Sequence, residues 1–546
     1  MMRSDYLWWQ TGVIYQIYPR SFKDTTGNGV GDLRGVIEKL DYLSDTLGVD
    51  AIWLSPFYVS PMADFGYDVA DHTAVDPLFG DIDTFDALVS RAHQRGMKLI
   101  VDFVPNHTSD RHPWFIESRS TLDNPKRDWY VWADPQPGGS PPNNWLSVFG
   151  GGAWEWDEVT GQYYLHSFLK EQPDLNWHNP EVKEAMFDVV RFWLDRGVDG
   201  FRVDVAHYIM KDPHLRDNPE APEGSETIHR SLGEYDSQVH LYDSRHPDVH
   251  GVYREFRHIL DAYSRERPRV SIGEVHIFDW EEWATYYGQD LDELHMPFNF
   301  ALLNVEWDAQ VVREVVDSLE AALPEGAWPN YVLGNHDESR LASRWGRDEA
   351  RVAAMLLLTL RGTPTLYYGD EIGMTDVQIP PHRQKDPWVM ETAKMGRDPC
   401  RTPMQWTAEP NAGFAPPHVE EFWLPLGDDY EMDNVERELA DPRSILNLYR
   451  QLLAYRRRNA ALQRGDYRPV DSGSNSCYTF LRCLQGESIL VALNFSDQTQ
   501  RVSLPSSRRG SVAVSTHLDR SGMVDLDALQ LRANEGIIVD VTAWLD

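Results

Sequence analysis

Short hydrophobic runs alternate with amphipathic stretches along the first hundred residues of the chain. VIYQIYP (13–19), AIWLSP (51–56) and KLIVDFV (98–104) are rich in β-branched and aromatic residues, as buried strands are. The amphipathic stretches at 33–48 and 81–96 predict helices between them. This alternation of strand and helix predicts βαβ units and a parallel sheet.

The same alternation returns after residue 172 and extends the parallel sheet. Five more strand-like runs are GFRVDV (200–205), RVSIGEV (269–275), LHMPFNF (294–300), YVLGNHD (331–337) and TPTLYYG (363–369). Helices are predicted at 180–197 and 443–458. Eight strands interleaved with helices predict the α/β class and an eight-stranded β/α (TIM) barrel.

Two segments depart from this rhythm and define the expected domains. Residues 106–172 are rich in Trp, Pro, Gly and Asn, so we expect a small inserted domain after the third strand, with short antiparallel strands. From about residue 466, short alternating runs such as CYTFLRC predict a C-terminal antiparallel β-sandwich. We expect the barrel over 1–105 and 173–460, and the sandwich over 461–546.

The charge balance restricts the partners that the protein can have. The chain has 51 basic and 86 acidic residues, a net charge of −35, which argues against nucleic acid and anionic membranes as partners. The 3 cysteines lack metal-binding spacing, and we expect reduced thiols. No run is long enough for a membrane span or a signal-peptide core. We therefore expect a cytoplasmic protein, a monomer or weak homo-oligomer, with no membrane contact.

Three carboxylates lie at the ends of predicted barrel strands. Asp204, Glu274 and Asp337 occur in GFRVDV, RVSIGEV and YVLGNHD, and we expect them to converge on one rim. Arg202 shares a strand face with Asp204 and would keep it ionised, as a nucleophile needs. Glu274 beside other acids would have a raised pKa, as a general acid needs. A structural ion pair is the alternative for Arg202 and Asp204.

Further side chains near these strand ends are candidates for contacts with a sugar. His107 follows KLIVDFVP and could donate to a hydroxyl group. Tyr67 could stack on a sugar ring, and Asp68 could accept hydrogen bonds from hydroxyls. A purely structural role is the alternative for each of them.

DFVPNH, GFRVDVAH, GEV and GNHD resemble, in order and spacing, the signature regions of the α-amylase family, glycoside hydrolase family 13. QPDLNW, GYDVADH and GRDPCRTPMQW resemble its oligo-1,6-glucosidase and α-glucosidase subgroup. The resemblance covers about residues 7–460. It implies a retaining, exo-acting α-glucosidase that releases α-glucose from the non-reducing end of small α-glucosides of maltose or isomaltose type, with transglucosylation.

The resemblance also implies roles for individual residues. Asp204 would be the nucleophile, Glu274 the acid/base and Asp337 the stabiliser of the transition state. Asp68 would pair with an arginine of GRDPCR, Arg397 or alternatively Arg401, to bind the non-reducing end of the sugar. The other substrate-binding residues that it implies are His107, Phe149, Phe168, Gln172, Arg202 and His336.

No cofactor is expected for catalysis, but the resemblance implies a structural cation. Relatives carry D-x-N-x-D-G-x-G-D after the first strand, where this chain has DTTGNGVGD. A Ca²⁺ or Mg²⁺ site would use Asp24, Thr26, Asn28, the Val30 carbonyl and Asp32. Thr26 and Asn28 lower its charge, and an Asx-rich turn without an ion is the alternative.

Several alternatives stay open at this point. The same family includes glucosyltransferases and isomerases that use sucrose, maltose or trehalose. It also includes polymer-cleaving α-amylases and the non-catalytic heavy chains of amino-acid transporters. In relatives, valine after the nucleophile, here Val205, tends to accompany α-1,6 preference, and alanine or threonine α-1,4 preference. DVAHYIMKDPHLRDNP instead resembles a bacterial α-glucosidase branch with mixed or α-1,4 preference, so the linkage stays open. Polar excursions at 208–250 and 370–420 are expected to shape the leaving-group side.

Overall fold

Eight buried parallel strands form the barrel in the computed structural model, which describes residues 6–222, 232–388, 396–504 and 509–542. Both faces of these strands are covered, which is why they are continuous apolar runs. The predicted β/α-barrel fold class is confirmed. The strands are Ile14–Ile17 (β1), Ala51–Leu54 (β2), Lys98–Phe103 (β3), Gly200–Val203 (β4), Val270–Gly273 (β5), Met296–Pro297 (β6), Asn330–Val332 (β7) and Thr363–Tyr367 (β8).

The strands follow chain order around the barrel. In the parallel register, Ile14 of β1 lies opposite Ala51 of β2 on one side and Thr365 of β8 on the other. Between β6 and β7 the sheet is closed by a single parallel bridge from Asn299 to Tyr331. Because all eight strands run the same way, their carboxyl ends open on one rim.

Amphipathic helices surround the strands. Several begin at a side-chain cap: Asp81 accepts a hydrogen bond from the Thr84 amide, and Ser444 accepts one from Asn447. The larger helical segments are Leu33–Glu38, the π-helix Tyr42–Leu47, Ile82–Gln94, Pro180–Asp195, Val249–Tyr263, Ala309–Ala322, Arg347–Thr359 and Ile445–Arg458. Shorter α-helices are Trp8–Thr11, Pro19–Phe22, Pro113–Ser118, Trp280–Ala284, Leu341–Arg344, Val435–Ala440 and Ala460–Arg464.

A small antiparallel sheet lies between β3 and the helix Pro180–Asp195. Gln162–Leu165 is its central strand, with Trp132–Ala133 and Trp154–Asp157 on either side. Phe115 stacks on Trp132 with ring centroids 5.7 Å apart, so aromatic packing supplies much of the core of this segment. A second antiparallel pair, Tyr58–Val59 with Asp71–Val75, follows β2. Both additions lie on the carboxyl side of barrel strands.

The C-terminal region consists of two antiparallel sheets with a shared apolar core. The two-stranded sheet, Gln500–Val502 with Leu529–Leu531, contributes Val502 and Leu531 to a buried cluster with Leu490 and Val539 of the larger sheet. The six strands of the larger sheet are Asp466–Val470, Cys477–Leu484, Glu487–Asn494, Arg509–Ser515, Gly522–Asp525 and Gly536–Thr542.

A buried arginine joins this region to the barrel. Arg482, on a strand of the larger sheet, donates from Nη1 to the carbonyl oxygen of Thr359 at 2.7 Å. Within the barrel, Arg456 of the helix Ile445–Arg458 donates to the carbonyl oxygens of Leu358 at 3.0 Å and Gly362 at 2.6 Å. The carbonyl groups at the end of the helix Arg347–Thr359, which have no partner within the helix, are therefore satisfied by side chains from outside it.

Parts of both polar excursions, residues 223–231 and 389–395, lie outside the described residues. Over the ranges that the structure does describe, no helix has the length and apolar character needed to cross a bilayer.

Candidate functional site

Asp204, Glu274 and Asp337 line one cavity of about 430 Å³ on the carboxyl rim of the barrel. Asp204 follows β4, Glu274 follows β5, and Asp337 lies in the loop after β7. Because neighbouring parallel strands end at the same rim, residues far apart in the chain are brought together there. The structure therefore places the three predicted acids in one site.

Arg202 is the centre of this arrangement. Its guanidinium is 2% exposed and donates from Nη1 to Asp204 Oδ1 at 2.6 Å and from Nη2 to Glu274 Oε2 at 2.6 Å. Nη1 also donates to Asp102 Oδ1 at 2.7 Å, and Asp102 accepts a further bond from Trp53 Nε1 at 2.9 Å. Both predicted alternatives therefore hold for Arg202. It contacts the two reactive carboxylates, and it also forms a buried structural ion pair with Asp102.

Asp102 was not among the predicted site residues. Its signal was an aspartate in the middle of the apolar run KLIVDFV, where a charged side chain needs a buried partner. Burial raises the pKa of Asp102 to about 6, against the opposing effect of Arg202 and the Trp53 hydrogen bond. Its role is to hold the Arg202 guanidinium in place.

The distribution of hydrogen bonds between Asp204 and Glu274 corrects the predicted protonation states. Burial raises the pKa of Asp204 well above its ordinary value, and Arg202 only partly opposes this. Burial would raise the pKa of Glu274 as well, but Arg202, His276 and the Val205 amide together hold it well below the usual range. The prediction of a raised pKa for Glu274 is wrong for this arrangement, because Glu274 has three donors and Asp204 has one side-chain donor.

Asp337 is held by three cationic or polar side chains. Its carboxylate accepts from Arg401 Nη2 at 2.9 Å and Arg397 Nη1 at 3.3 Å, with His336 Nε2 at 3.2 Å. Burial opposes ionisation, but His336, Arg401 and Arg397 outweigh it and lower the pKa of Asp337 to about 2. Asp337 is therefore a carboxylate over the ordinary pH range, so it can accept hydrogen bonds from a sugar.

His336 and Tyr67 form a stacked pair in the wall of the cavity. Their ring planes are 5° apart with centroids at 5.4 Å, and Tyr67 Oη lies 2.6 Å from His336 Nε2. The Gln16 amide nitrogen lies 2.8 Å from Nδ1 on the other side of the ring. Burial lowers the pKa of His336 to about 3, so the ring is neutral. With Gln16 as donor to Nδ1, Nε2 carries the proton and faces Tyr67 and Asp337.

The predicted pairing of Asp68 with Arg397 is wrong. Asp68 is fully buried and accepts hydrogen bonds from Ser60 Oγ and from the amides of Ala63 and Asp64, at 2.8–2.9 Å. It closes the turn that precedes it. Asp64 takes the predicted place: its Oδ1 accepts from Arg397 Nη2 at 2.7 Å, and both side chains line the cavity.

Arg397 has a second strong partner, Asp386, that was not among the predicted site residues. Its Nη2 and Nε donate to Asp386 Oδ1 at 2.7 and 3.2 Å. These bonds, with Asp64 and Asp337, fix the guanidinium among three carboxylates. Arg401 lies deeper, is completely buried and donates from Nε to the carbonyl oxygen of His336 at 2.6 Å. Arg397 is thus the arginine at the cavity surface.

The remaining predicted contacts come from the segment between β3 and the helix Pro180–Asp195. His107 Nε2 lies 3.0 Å from Gln172 Nε2, and Gln172 Nε2 donates to Asp64 Oδ2 at 3.4 Å. Burial lowers the pKa of His107 to about 4, so it is neutral. Phe149 and Phe168 pack edge to face, with centroids 6.1 Å apart. All four side chains line the cavity, as do the acids.

The predicted cation loop lies away from this cavity. Asp24 Oδ1 accepts from the amides of Thr26 and Gly27 at 2.9 and 2.7 Å, and Oδ2 accepts from Gly29 at 2.8 Å. Asp32 accepts from the amides of Thr25 and Gly35 at 2.7 and 2.8 Å.

Another side chain of this loop, Asn28, also forms a hydrogen bond within the loop. Asn28 Oδ1 accepts from the Val30 amide at 2.9 Å. The oxygen donors are of the kind that Ca²⁺ and Mg²⁺ prefer, but the loop already closes through its own hydrogen bonds. The fit to an ion is therefore weak, and no step of the chemistry depends on one.

Comparisons with known proteins agree with this architecture. A model of the α-amylase catalytic domain matches residues 16–465. A probable α-glucosidase of Rhizobium meliloti (strain 1021) is 43% identical over 521 residues, 93% of each chain. An oligo-1,6-glucosidase of Heyndrickxia coagulans is 40% identical over 90% of this chain and 93% of its own. The crystal structure of an α-glucosyl transfer enzyme is 42% identical, with a TM-score of 0.92, and covers 98% of this chain and 100% of its own.

Proposed function

Because this chain belongs to the α-amylase family of glycoside hydrolases, we propose that it is a retaining, exo-acting α-glucosidase with transglucosylation activity. Its substrates are small oligosaccharides with an α-linked glucose at the non-reducing end. The observation that carries the proposal is the convergence of Asp204, Glu274 and Asp337 around Arg202 in one cavity.

The retaining mechanism rests on how Arg202 holds two carboxylates. Asp204 and Glu274 each have an oxygen 2.6 Å from the same guanidinium, so the two carboxyl groups lie close together. Retaining glycosidases have their two carboxyl groups about 5–5.5 Å apart, whereas inverting enzymes leave room for a water between them. The shared guanidinium is consistent with the retaining arrangement that the family resemblance implies.

In the first step the Asp204 carboxylate attacks the anomeric carbon, and Glu274 gives its proton to the leaving glycosidic oxygen. A covalent glucosyl ester of Asp204 forms, and the leaving sugar departs as an alcohol. In the second step the Glu274 carboxylate takes a proton from water, whose oxygen attacks the same carbon. Asp204 leaves as a carboxylate, and the product is α-glucose.

The resting hydrogen bonds add one requirement to this mechanism. Burial raises the pKa of Asp204, whereas the donors around Glu274 lower the pKa of Glu274, so the empty site favours the ionised form of Glu274. Attack requires the proton on Glu274. We expect substrate binding to favour protonation of Glu274, because a sugar next to it excludes water and increases the cost of its charge.

Exo action rests on the opposite end of the cavity. Asp64 and Arg397 form an ion pair there that is buried on both sides. A carboxylate and a guanidinium together can accept from and donate to neighbouring hydroxyl groups of a terminal sugar. An α-amylase that cleaves inside a polymer needs a cleft open at both ends. Rapid loss of starch viscosity without early release of glucose would contradict the exo proposal.

Glucosyl transfer to a second sugar is a supported alternative as the main activity. The leaving side of the cavity is lined by Val205, Tyr208, Leu232, Tyr235 and Phe278, and such apolar surface favours an acceptor with a sugar face over bulk water. One similar solved structure is that of an α-glucosyl transfer enzyme. Transfer products that exceed free glucose at modest sugar concentration would make transfer the principal reaction.

The decisive experiment follows product anomers by proton NMR on maltose, isomaltose, sucrose and trehalose. We expect α-glucose as the first product from at least one of these sugars. Asp204→Asn and Glu274→Gln should both abolish its release. First release of β-glucose would exclude the assignment of Asp204 as nucleophile. Full activity in either variant would contradict the proposal, as would a wild-type protein that is inactive on every sugar.

We also propose that the enzyme is cytoplasmic and a monomer or weak homo-oligomer, without nucleic acid or membrane as a partner. Support comes from its three cysteines, all free thiols in the structure, which suit a reducing compartment. The net charge of −35 opposes both self-association and binding to phosphate-rich surfaces. Cell fractionation and size-exclusion chromatography test the two statements.

A further inference from the structure

Both oxygens of the Glu274 carboxyl group have fixed partners. Oε2 accepts from Arg202 Nη2 at 2.6 Å and from the Val205 amide at 2.9 Å. Oε1 lies 2.9 Å from His276 Nε2. An arginine and a backbone amide are donors in every protonation state, so Oε2 cannot carry a proton while these bonds persist. The proton that Glu274 uses in catalysis must therefore be on Oε1, the oxygen that faces His276.

His276 is well placed to act on that oxygen. It lies two residues after Glu274, in the loop that follows β5. Its ring stacks on Phe300, with centroids 4.5 Å apart and planes 16° apart. The side chain is 39% exposed, whereas that of Glu274 is 8% exposed. Phe300 thus fixes the orientation of the imidazole, and one edge of the ring reaches solvent.

We propose that His276 is the positioning residue of the acid/base carboxyl group. It directs Glu274 Oε1 and stabilises that oxygen when it has lost its proton. The inference rests on the proposed function, which assigns Glu274 as the acid/base. In the first step the proton moves from Oε1 to the leaving oxygen, and His276 Nε2–H donates to the new carboxylate. In the second step Oε1 regains a proton from water, so no proton is consumed.

Other ionisable groups surround the pair without replacing this contact. Within the described part of the chain, His276 is the one residue hydrogen-bonded to Oε1. His207 is the nearest second imidazole, with ring centroids 6.1 Å from His276, and its buried Nδ1 has no hydrogen-bond partner among the residues that the structure describes. The ionisable groups that lie close enough to interact electrostatically with Glu274 or His276 are Arg202, Asp204, Asp102, His207, Tyr208, His336 and Asp337.

The test compares two variants on two substrates. His276→Phe keeps a flat ring next to Phe300 but removes the nitrogen, and His276→Asn restores an N–H donor. Maltose has a poor leaving group that needs a proton, whereas para-nitrophenyl α-glucoside has a leaving group that departs without one. His258→Asn, at an exposed helical position, is the matched control.

We expect His276→Phe to lower kcat/KM on maltose about 10-fold or more, a part of the 10²–10⁴ that general acid catalysis contributes. The loss on the aryl glucoside should stay below about 3-fold, because its leaving group needs little proton donation from Glu274. His276→Asn should recover most of the activity on maltose. Because the His276 bond lowers the pKa of Glu274, the basic limb of the pH profile should move to higher pH in His276→Phe.

Equal losses on the two substrates with an unchanged pH profile would overturn the inference, as would a fully active His276→Phe enzyme. Either result would leave the proposed function intact, provided that the wild type cleaves maltose and Glu274→Gln does not. If the wild type does not cleave maltose, or if Glu274→Gln does cleave it, the proposed function itself is contradicted. The His258→Asn enzyme should match the wild type in both activity and pH profile.

Discussion

Arg397 donates from Nη2 to Asp64 Oδ1 at 2.7 Å, although the two residues are 333 positions apart in the chain. Their side chains are 6% and 7% exposed. Arg397 is also bonded to Asp386 and lies 3.3 Å from Asp337, so the pair is connected to the third acid of the site. The same guanidinium that would bind the terminal sugar thus keeps Asp337 ionised.

We expect Asp64→Asn to lower kcat/KM on maltose by about 100-fold, equivalent to about 2.7 kcal/mol of transition-state stabilisation. Asparagine keeps the shape of aspartate but removes the charge that pairs with Arg397, and truncation of a buried charge pair costs several kcal/mol. Steady-state kinetics on maltose measures the loss. Asp71→Asn, an exposed aspartate on the neighbouring antiparallel strand, is the matched control. Unchanged kinetics in Asp64→Asn would refute the role of this pair at the sugar's end.

The second prediction is that Val205, on the leaving side of the cavity, influences which linkage the enzyme prefers. It is buried, lines the cavity and has a φ of 36°, a left-handed value that a β-branched residue rarely adopts. Its amide holds Glu274, so substitution of the side chain leaves that bond in place. We expect Val205→Ala to raise the ratio of kcat/KM for maltose to that for isomaltose by about 10-fold, the effect of one or two methyl groups in an apolar pocket.

The control for that experiment is para-nitrophenyl α-glucoside, on which Val205→Ala should act within about 3-fold of the wild type if the glucose side is unaltered. A ratio of maltose to isomaltose that stays constant would show that the linkage preference is decided elsewhere.

The barrel could be predicted from the sequence, whereas the partners within the site could not. Each barrel strand is a continuous apolar run, because both of its faces are covered, and such runs are visible along the chain. Asp64 and Asp68 stand in the same loop, and their spacing does not show which one faces the cavity. That depends on the turn that Asp68 closes with the amides of Ala63 and Asp64.

The protonation of the acids was equally beyond the sequence. The motif shows that Glu274 lies among other acids, and a raised pKa follows from that alone. The three donors that lower it come from β4, from the turn after β4 and from His276, and only the folded chain brings them to one carboxyl group. Asp386 was missed for the same reason, since only the folded chain brings it to Arg397.

The third prediction concerns Asp370 and the way in which the stability of the protein changes with pH. It is 5% exposed, and burial raises its pKa to about 7, although Arg340 opposes this. A carboxyl group whose folded pKa lies above its unfolded value of about 3.9 binds protons more tightly when folded. The contribution of Asp370 to stability is therefore complete at low pH and is lost as the pH rises from about 4 to about 7.

We expect Asp370→Asn to reduce the fall in free energy of unfolding between pH 5 and pH 8 by up to about 3 kcal/mol, since one pKa unit corresponds to 1.36 kcal/mol. Thermal denaturation at the two pH values measures it. Asp428→Asn, at an exposed position, should leave the difference as in the wild type. A variant in which the pH dependence of the melting temperature is unaltered would contradict the assignment.

The cation loop gives a fourth prediction. Saturating Ca²⁺ should raise the melting temperature by about 1–2 °C and leave kcat unchanged, because weak sites with a Kd of about 10⁻⁴–10⁻³ M contribute little at millimolar ion. Asn28→Asp adds a carboxylate at an exposed position and should increase that rise. Monovalent salt at equal ionic strength is the control. A melting temperature that Ca²⁺ leaves unchanged in both proteins would favour the Asx-rich turn.

Arg482 couples the folding of the C-terminal sandwich to that of the barrel. Its guanidinium is buried and satisfies the Thr359 carbonyl group at the end of the helix Arg347–Thr359. Across the same boundary, Arg351 of that helix donates from Nε to the carbonyl oxygen of Thr516 at 2.9 Å. Removal of the sandwich would leave both groups without these partners. We therefore expect calorimetry of the whole chain to record one cooperative transition.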